Sequence, residues 1–218
     1  MGTKYASLHI KAGSSENIIE QLKKYYNDNS NREVIISDRY PDYFKEILAD
    51  KLIVVRDLLD SARKSSRIIL IKDEFISIYD EAFSLETIEQ EGINLSKYID
   101  NPILATGNLD DDVFSVVLIK NGNIITKHTV GDGLDCYDIE PSHLDLNKFE
   151  NIIKLRLDKE KVNDLLIEDD VTIVEEGFCE LLKIFLNLDC NDIKSNKEYF
   201  KKVSKSNNYT IYKFSLEN

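Results

Sequence analysis

Residues 4–12 alternate, with Tyr5, Ser7, His9 and Lys11 on one side and Ala6, Leu8, Ile10 and Ala12 on the other, the period of a half-buried strand. Gly13 and Ser14 end it. Ser14 or Ser15 then offers an oxygen to the first amides of a helix whose apolar side is Ile18, Ile19, Leu22, Tyr25 and Tyr26. Residues 27–31 form a turn, and 33–38, centred on Val34, Ile35 and Ile36, read as a second strand, so the chain opens β-α-β. After Pro41, Asp42 caps a helix in which Phe44, Ile47, Leu48, Leu52, Val55, Leu58, Leu59 and Ala62 recur at threes and fours. Within it Leu52-Ile53-Val54-Val55 is β-branched enough for a strand, and 51–56 stay open between helix and strand.

Residues 63–67 are a basic, serine-containing connection that suits a joint between two lobes. Strands return at 68–72 and 75–80. A helix follows, with Phe83 and Ile88 placed as a hydrophobic staple around a Ser84 cap and with Ile88, Leu95 and Ile99 on its buried face. Gly92 should weaken its middle by about 1 kcal/mol relative to alanine.

The clearest fold signal is 101–130, three short strands joined by two turns, one the triplet Asp110, Asp111 and Asp112 and the other Asn121-Gly122, the pair that suits hairpin twist. By parity His128 shares a face with Ile124 and Thr126. Beyond Gly131-Asp132-Gly133 the pattern turns helical at 145–155, at 158–166 and at 173–188, where Val174, Phe178, Leu181, Leu182 and Phe185 form one face and Thr172 and Glu175 have capping-box spacing. Tyr199, Phe200 and Val203 suggest a last short helix, and 209–216 alternate as a final strand. The expected class is α+β, an antiparallel or mixed sheet with β-α-β openings and a helical C-terminal third. The domain reading is one unit over 1–218, divisible into a 1–66 lobe and a 67–218 lobe.

Composition sets the boundary conditions. In 218 residues, 42% hydrophobic and 31% charged, only three prolines and eight glycines occur, so no linker or low-complexity stretch divides the chain. Apolar runs reach four residues, as at 52–55 and 68–71, against the roughly twenty that span a bilayer. The first residues lack an apolar signal core, and Ala6 stands where myristoylation wants Ser or Thr. With Cys136, Cys179 and Cys190 forming no C-x-x-C pair, the expectation is reduced, structural thiols in a cytoplasm.

Charge changes the picture more. Residues 73–140 hold fifteen acids against Lys97, Lys120 and Lys127, which accounts for the entire net charge of −12, since the remainder balances twenty-five acids with twenty-five bases. Such a field repels nucleic acid and anionic membranes and attracts basic partners.

Catalytic signatures are missing. The sequence has no G-x-S-x-G elbow, no phosphate-binding glycine loop and no H-E-x-x-H, and His9, His128 and His143 make no close pair. Cys136 and His143 are separated by an acidic, proline-containing loop that would raise a thiol's pKa. Glycosidase carboxylates depend on a separation that only a fold sets. Tyr25-Tyr26 and Tyr40 to Phe44 are the densest aromatic clusters and suit either a contact surface or a core edge.

Asp110, Asp111, Asp112, Asp132, Asp135, Asp138 and Glu140 would converge if 113–120 and 123–130 pair as a hairpin. Carboxylates of this kind suit a hard divalent cation, but Asp132-x-x-Asp135-x-x-Asp138 lacks the ligand rhythm and central glycine of an EF-hand, and turn acids often bond only local amides.

The order Phe75-Ile-Ser-Ile-Tyr79-Asp80, a helix, Pro102-Ile-Leu-Ala, an acid turn ending Asp112-Val113 and a hairpin with Gly122 resembles a group of uncharacterised bacterial proteins, over roughly a quarter of the chain. The resemblance implies a β-α-β-β-β unit around 75–130 and a bacterial setting, with no transferable activity.

The functional expectation is a non-catalytic acidic interaction module, immunity- or inhibitor-like, that docks on a basic protein through those seven acids, with no cofactor, metal, nucleic acid or membrane. The alternative is a small enzyme or divalent-metal-dependent binding protein using the cluster at 110–140. Oligomeric state is not set by the sequence.

Overall fold

The computed structural model describes residues 4–12, 15–29, 67–71, 74–80, 82–155, 157–186 and 210–214. The readings at 33–38, 42–62 and 199–203, and Cys190, lie outside them. Seven strands, β1 (Lys4–Lys11), β2 (Arg67–Ile71), β3 (Phe75–Tyr79), β4 (Ile103–Leu109), β5 (Val113–Lys120), β6 (Asn123–Val130) and β7 (Thr210–Phe214), form one sheet in the order β6-β5-β4-β1-β3-β2-β7. Every pairing is antiparallel. The first strand of the chain therefore lies at the centre, between β3 and β4.

Helices cover both faces, and β3, β4 and β5 are accordingly buried along nearly their whole length. On one face α1 (Ser15–Asn29) and α2 (Leu85–Leu95) bring Ile18, Leu22, Tyr25, Ile88 and Leu95 onto Leu8, Ile10, Ile76, Ile78, Ala105, Val117 and Ile119. On the other, α3 (Leu146–Ile153) and α5 (Val171–Leu182) bring Phe149, Ile153, Val174, Phe178 and Leu182 onto Leu104, Phe114, Val116, Leu118 and Val130. Between them runs α4 (Lys159–Leu166), and a short 3₁₀ helix (Leu134–Tyr137) follows β6. Among the described residues no helix is long and apolar enough to cross a membrane.

Residues 27–29, read as part of a turn, are the last residues of α1. Three further local expectations change. Helix α5 begins earlier than 173, because the Asp170 carboxylate rather than Thr172 caps it, accepting from the amides of Thr172 and Ile173 at 2.9 and 3.2 Å. It ends at Leu182, where Lys183 turns left-handed with φ 55°. In β6 a bulge breaks the parity: Thr126 pairs with Leu118 and Ile124 with Ile119, so Ile125 is the extra residue and Ile124 leaves the face shared by Thr126 and His128.

Third, Gly92 is a packing residue more than a weak point in α2. A Cβ there would stand 2.6 Å from Ile119 Cδ1 and 3.4 Å from both Ala105 Cβ and Leu8 Cδ2, so the missing side chain lets the helix lie close on the sheet. Ile119 is fully buried and has little room to withdraw. Gly92→Ala is therefore expected to lower stability by about 1 kcal/mol or more, against the gain of about 1 kcal/mol that helix propensity alone predicts; denaturant unfolding measures the sign.

Candidate functional site

The acids gather at one end of the sheet, where β4 leaves, β5 enters and β6 leaves. The turn from Leu109 to Asp112 closes with the Asp112 amide on the Leu109 carbonyl at 3.0 Å, and both central residues are left-handed, Asp110 at φ 59° and Asp111 at φ 63°. This is the primed geometry that matches strand twist. Asn121 and Gly122 adopt it at the opposite end, at φ 51° and 75°.

The loop after β6 folds back onto this turn. Gly131, at φ 131°, lies so close to the turn that a Cβ would stand 2.0 Å from the Asp112 carbonyl oxygen and 2.9 Å from Val171 Cγ2. Only glycine fits there. The Gly133 amide donates to the Asp112 carbonyl at 3.1 Å, and the Tyr137 hydroxyl donates to Asp110 Oδ2 at 3.1 Å, with Asp112 Oδ2 at 3.4 Å. Asp111, Asp112, Asp132, Asp135, Asp138 and Glu140 are exposed. Asp110 is half-buried and pairs with Lys4 at 3.0 Å; the bond to Lys4 holds its pKa below the usual carboxylate range. Partial burial and then the two carboxylates push the Tyr137 hydroxyl up to about 12.

The structure thus brings the seven acids singled out from the sequence to one end. It adds others. Val171 seats the start of α5 against Gly131, which carries Glu168, Asp169 and Asp170 to the same corner. From 162 to 182 the chain holds seven acids and no base, a run hidden when everything outside 73–140 is summed together. Asn108 latches the corner: its Oδ1 accepts from the Asp111 amide at 3.0 Å, and its Nδ2 donates to Glu175 Oε2 on α5 at 2.9 Å. Beside it the Tyr5 hydroxyl is buried, and burial together with the Glu175 charge raises its pKa.

A second polar group was not anticipated as a unit. Ser7 and His9 on β1, Ser77 on β3 and Thr106 on β4 sit side by side in the register and are buried to within 5% exposure. The Ser7 hydroxyl donates to the Leu186 carbonyl at 2.9 Å, which uses its one proton. Its 2.8 Å contact with His9 Nε2 is then a bond donated by the imidazole, and Thr106 donates to Ser7 at 2.9 Å. His9 Nδ1 is left as the acceptor of the Ser77 hydroxyl at 2.8 Å. The imidazole is neutral, its pKa held down to about 3 by burial. Nearby the Tyr79 hydroxyl donates to the Phe185 carbonyl at 2.6 Å. The arrangement has the parts of a proton relay, but each member is buried and bonded to another or to Leu186, so it ties the strands together as a clasp. The alternation of 4–12 had suggested a polar outer face, and the signal that it was buried is the pairing of small hydroxyl residues across three neighbouring strands.

His128 is the opposite case. It is fully buried beside Phe178 and 6.1 Å from His143 between ring centroids, and among the described residues neither ring nitrogen makes a hydrogen bond of good geometry, although the Ser142 backbone lies near enough to favour its proton. Burial, and then the charge of His143, hold its pKa down to about 4. Cys179 is half-buried with its thiol pushed up to about 11 by burial, and Cys136 is exposed on the 3₁₀ helix. Among the described residues no three His, Cys, Asp or Glu side chains stand together in a way that could hold a metal ion. The chain matches no family model, and comparison with curated proteins and with solved structures gives no match.

Both buried histidines have folded pKa values below the ordinary 6.5, so the unfolded chain binds protons first and stability falls as pH drops from about 6.5 through 4. His128→Leu removes two buried nitrogens that lack well-formed hydrogen bonds and is expected to raise stability by about 1 kcal/mol at pH 7 and to flatten the slope between pH 6.5 and 4. His9→Leu breaks the clasp and is expected to cost about 2 kcal/mol or more; urea titrations across pH distinguish the two. Asn108→Asp sets a carboxylate against Glu175. It is expected to cost about 2 kcal/mol or more at pH 7, with the deficit relative to wild type shrinking as pH falls toward 5.

Proposed function

We propose that this chain is a non-catalytic interaction module of the bacterial cytoplasm, immunity- or inhibitor-like, that binds a basic protein through its acidic end. The observation that carries the reading is the convergence of Asp111, Asp112, Asp132, Asp135, Asp138 and Glu140, all exposed, around a turn with Lys4 bonded to Asp110. Exposed like charges at close range repel one another by roughly 1 kcal/mol per pair in water, and a basic partner relieves that repulsion on docking.

The turn itself supports the reading. Its partner hairpin uses Asn121-Gly122 for the same left-handed pair, whereas this one uses two aspartates, which tolerate the conformation less well than glycine. At Asp110 the bonds to Lys4 and Tyr137 offset that cost, so the exposed Asp111 is the member of the pair that supports a role in docking. The free thiols of Cys136 and Cys179 suit a reducing compartment.

A lysine-rich peptide titrated into the protein at about 50 mM salt is expected to bind, and to lose most of its affinity by about 300 mM. Salt-insensitive binding would overturn the reading. Asp132→Asn with Asp135→Asn is expected to weaken binding about tenfold, while Glu74→Gln with Asp100→Asn, at the opposite end of the sheet, leaves it within about twofold. Asp111→Asn, at a left-handed position that asparagine favours, is expected to weaken binding while leaving stability equal or up to about 0.5 kcal/mol higher.

A further inference from the structure

The α4–α5 corner carries the two most exposed large apolar side chains among the described residues. Ile167, which follows α4, is 81% exposed, and Ile173 in the first turn of α5 is 50% exposed. The helices meet nearby at Gly177, where a Cβ would stand 2.3 Å from Leu165 Cδ2, and Ile173 lies one helical turn before that contact on the same side of α5. Glu168, Asp169 and Asp170 connect the two isoleucines, and Val171, between Asp170 and Ile173, rests on Gly131 beside the Asp112 carbonyl. The apolar pair is therefore continuous with the acidic end and lies in a stretch, 162–182, that contains no base.

Apolar side chains at this exposure are stabilised by any cover that removes them from water, and the surrounding charge selects the cover. An acidic partner is repelled, a second copy of this chain brings the same acids to the same place, and a purely cationic segment leaves the isoleucines wet. We propose that Ile167 and Ile173 are the apolar anchor of the docking face, and that the partner presents a basic segment in which aliphatic side chains are flanked by lysine or arginine. This rests on the reading of the acidic end as the docking face, and specifies the chemistry of what docks there. An apolar centre within a charged rim is the usual anatomy of an interface in which a few side chains carry most of the affinity.

The test uses the full chain and two synthetic peptides of equal length and charge, one lysine-rich with a central Leu-Leu pair and the other with Ser-Ser in its place, followed by fluorescence anisotropy at low salt. Wild type is expected to bind the leucine peptide about tenfold more tightly. Ile167→Ser with Ile173→Ser is expected to abolish that preference and leave the serine peptide's affinity unchanged, with Ile167→Ser alone giving part of the effect. Ile124→Ser, which alters the 41% exposed isoleucine beside the Asn121-Gly122 turn, is expected to keep the preference. Equal wild-type affinity for the two peptides, or a preference that survives the double variant or is lost in Ile124→Ser, would overturn the anchor while leaving the electrostatic reading intact. Failure of both peptides to bind overturns both.

Discussion

A neutral imidazole buried at the centre of a sheet covered on both faces is the constraint on which the rest of this fold depends. Ser7 and His9 lie on β1, the middle strand, and their partners come from both neighbours, Thr106 of β4 and Ser77 of β3. Each would cost roughly 1–3 kcal/mol if buried without a partner. A slip of β1 by one residue would turn Ser7 and His9 toward Ile76, Ile78 and Ala105, which offer no side-chain hydrogen-bonding group. The clasp therefore sets the register of three strands at once. By taking the Leu186 carbonyl as well, it fixes where the chain after α5 crosses the sheet.

With β1 fixed, the position of the acidic end follows. Lys4 pairs with Leu109 in the ladder, so the start of β1 lies beside the acid turn and its ammonium reaches Asp110. Asn108 stands one residue earlier on the buried face and ties the turn to Glu175 of α5. Gly131 closes the arrangement, because only a residue without a side chain allows the loop after β6 to lie against Asp112 while Val171 packs on top. Three segments distant in sequence are thereby held at one corner by a ladder pair, an amide side chain and a missing Cβ.

Much of this was legible from pattern. The three strands at 101–130 with their two turns, the two faces of β1 and the apolar stripes of α1, α2 and α5 follow from periodicity, and parity correctly sent Leu8 and Ile10 to one side and Ser7 and His9 to the other. What pattern does not give is whether a polar face meets water. Ser7 and His9 look like surface residues until a second layer of helices is placed over them, and that layer lies more than a hundred residues away in sequence. Likewise Gly92 reads as a flaw in a helix until Ile119 is placed opposite it, and the bulge at Ile125 has no composition signal. The acids at 168–170 were missed because a charge sum over a long stretch cancels a local run against distant lysines.

The bland rival to docking is that the acids only keep the protein dissolved, and the arrangement argues against it. Solubility is served equally well by dispersed charge, without the repulsion that concentration at one corner adds to the folded state. It is poorly served by leaving an isoleucine four-fifths exposed within that corner. A turn of two left-handed aspartates, where the sister hairpin uses Asn-Gly, adds a backbone cost that solubility does not require. Each feature taken alone is common on protein surfaces. Some of these acids serve the fold, as Asp170 does in capping α5 and Asp110 in bonding Lys4, but their coincidence at one end, held there by Asn108 and Gly131, is what the proposed docking of a basic and partly apolar partner would need.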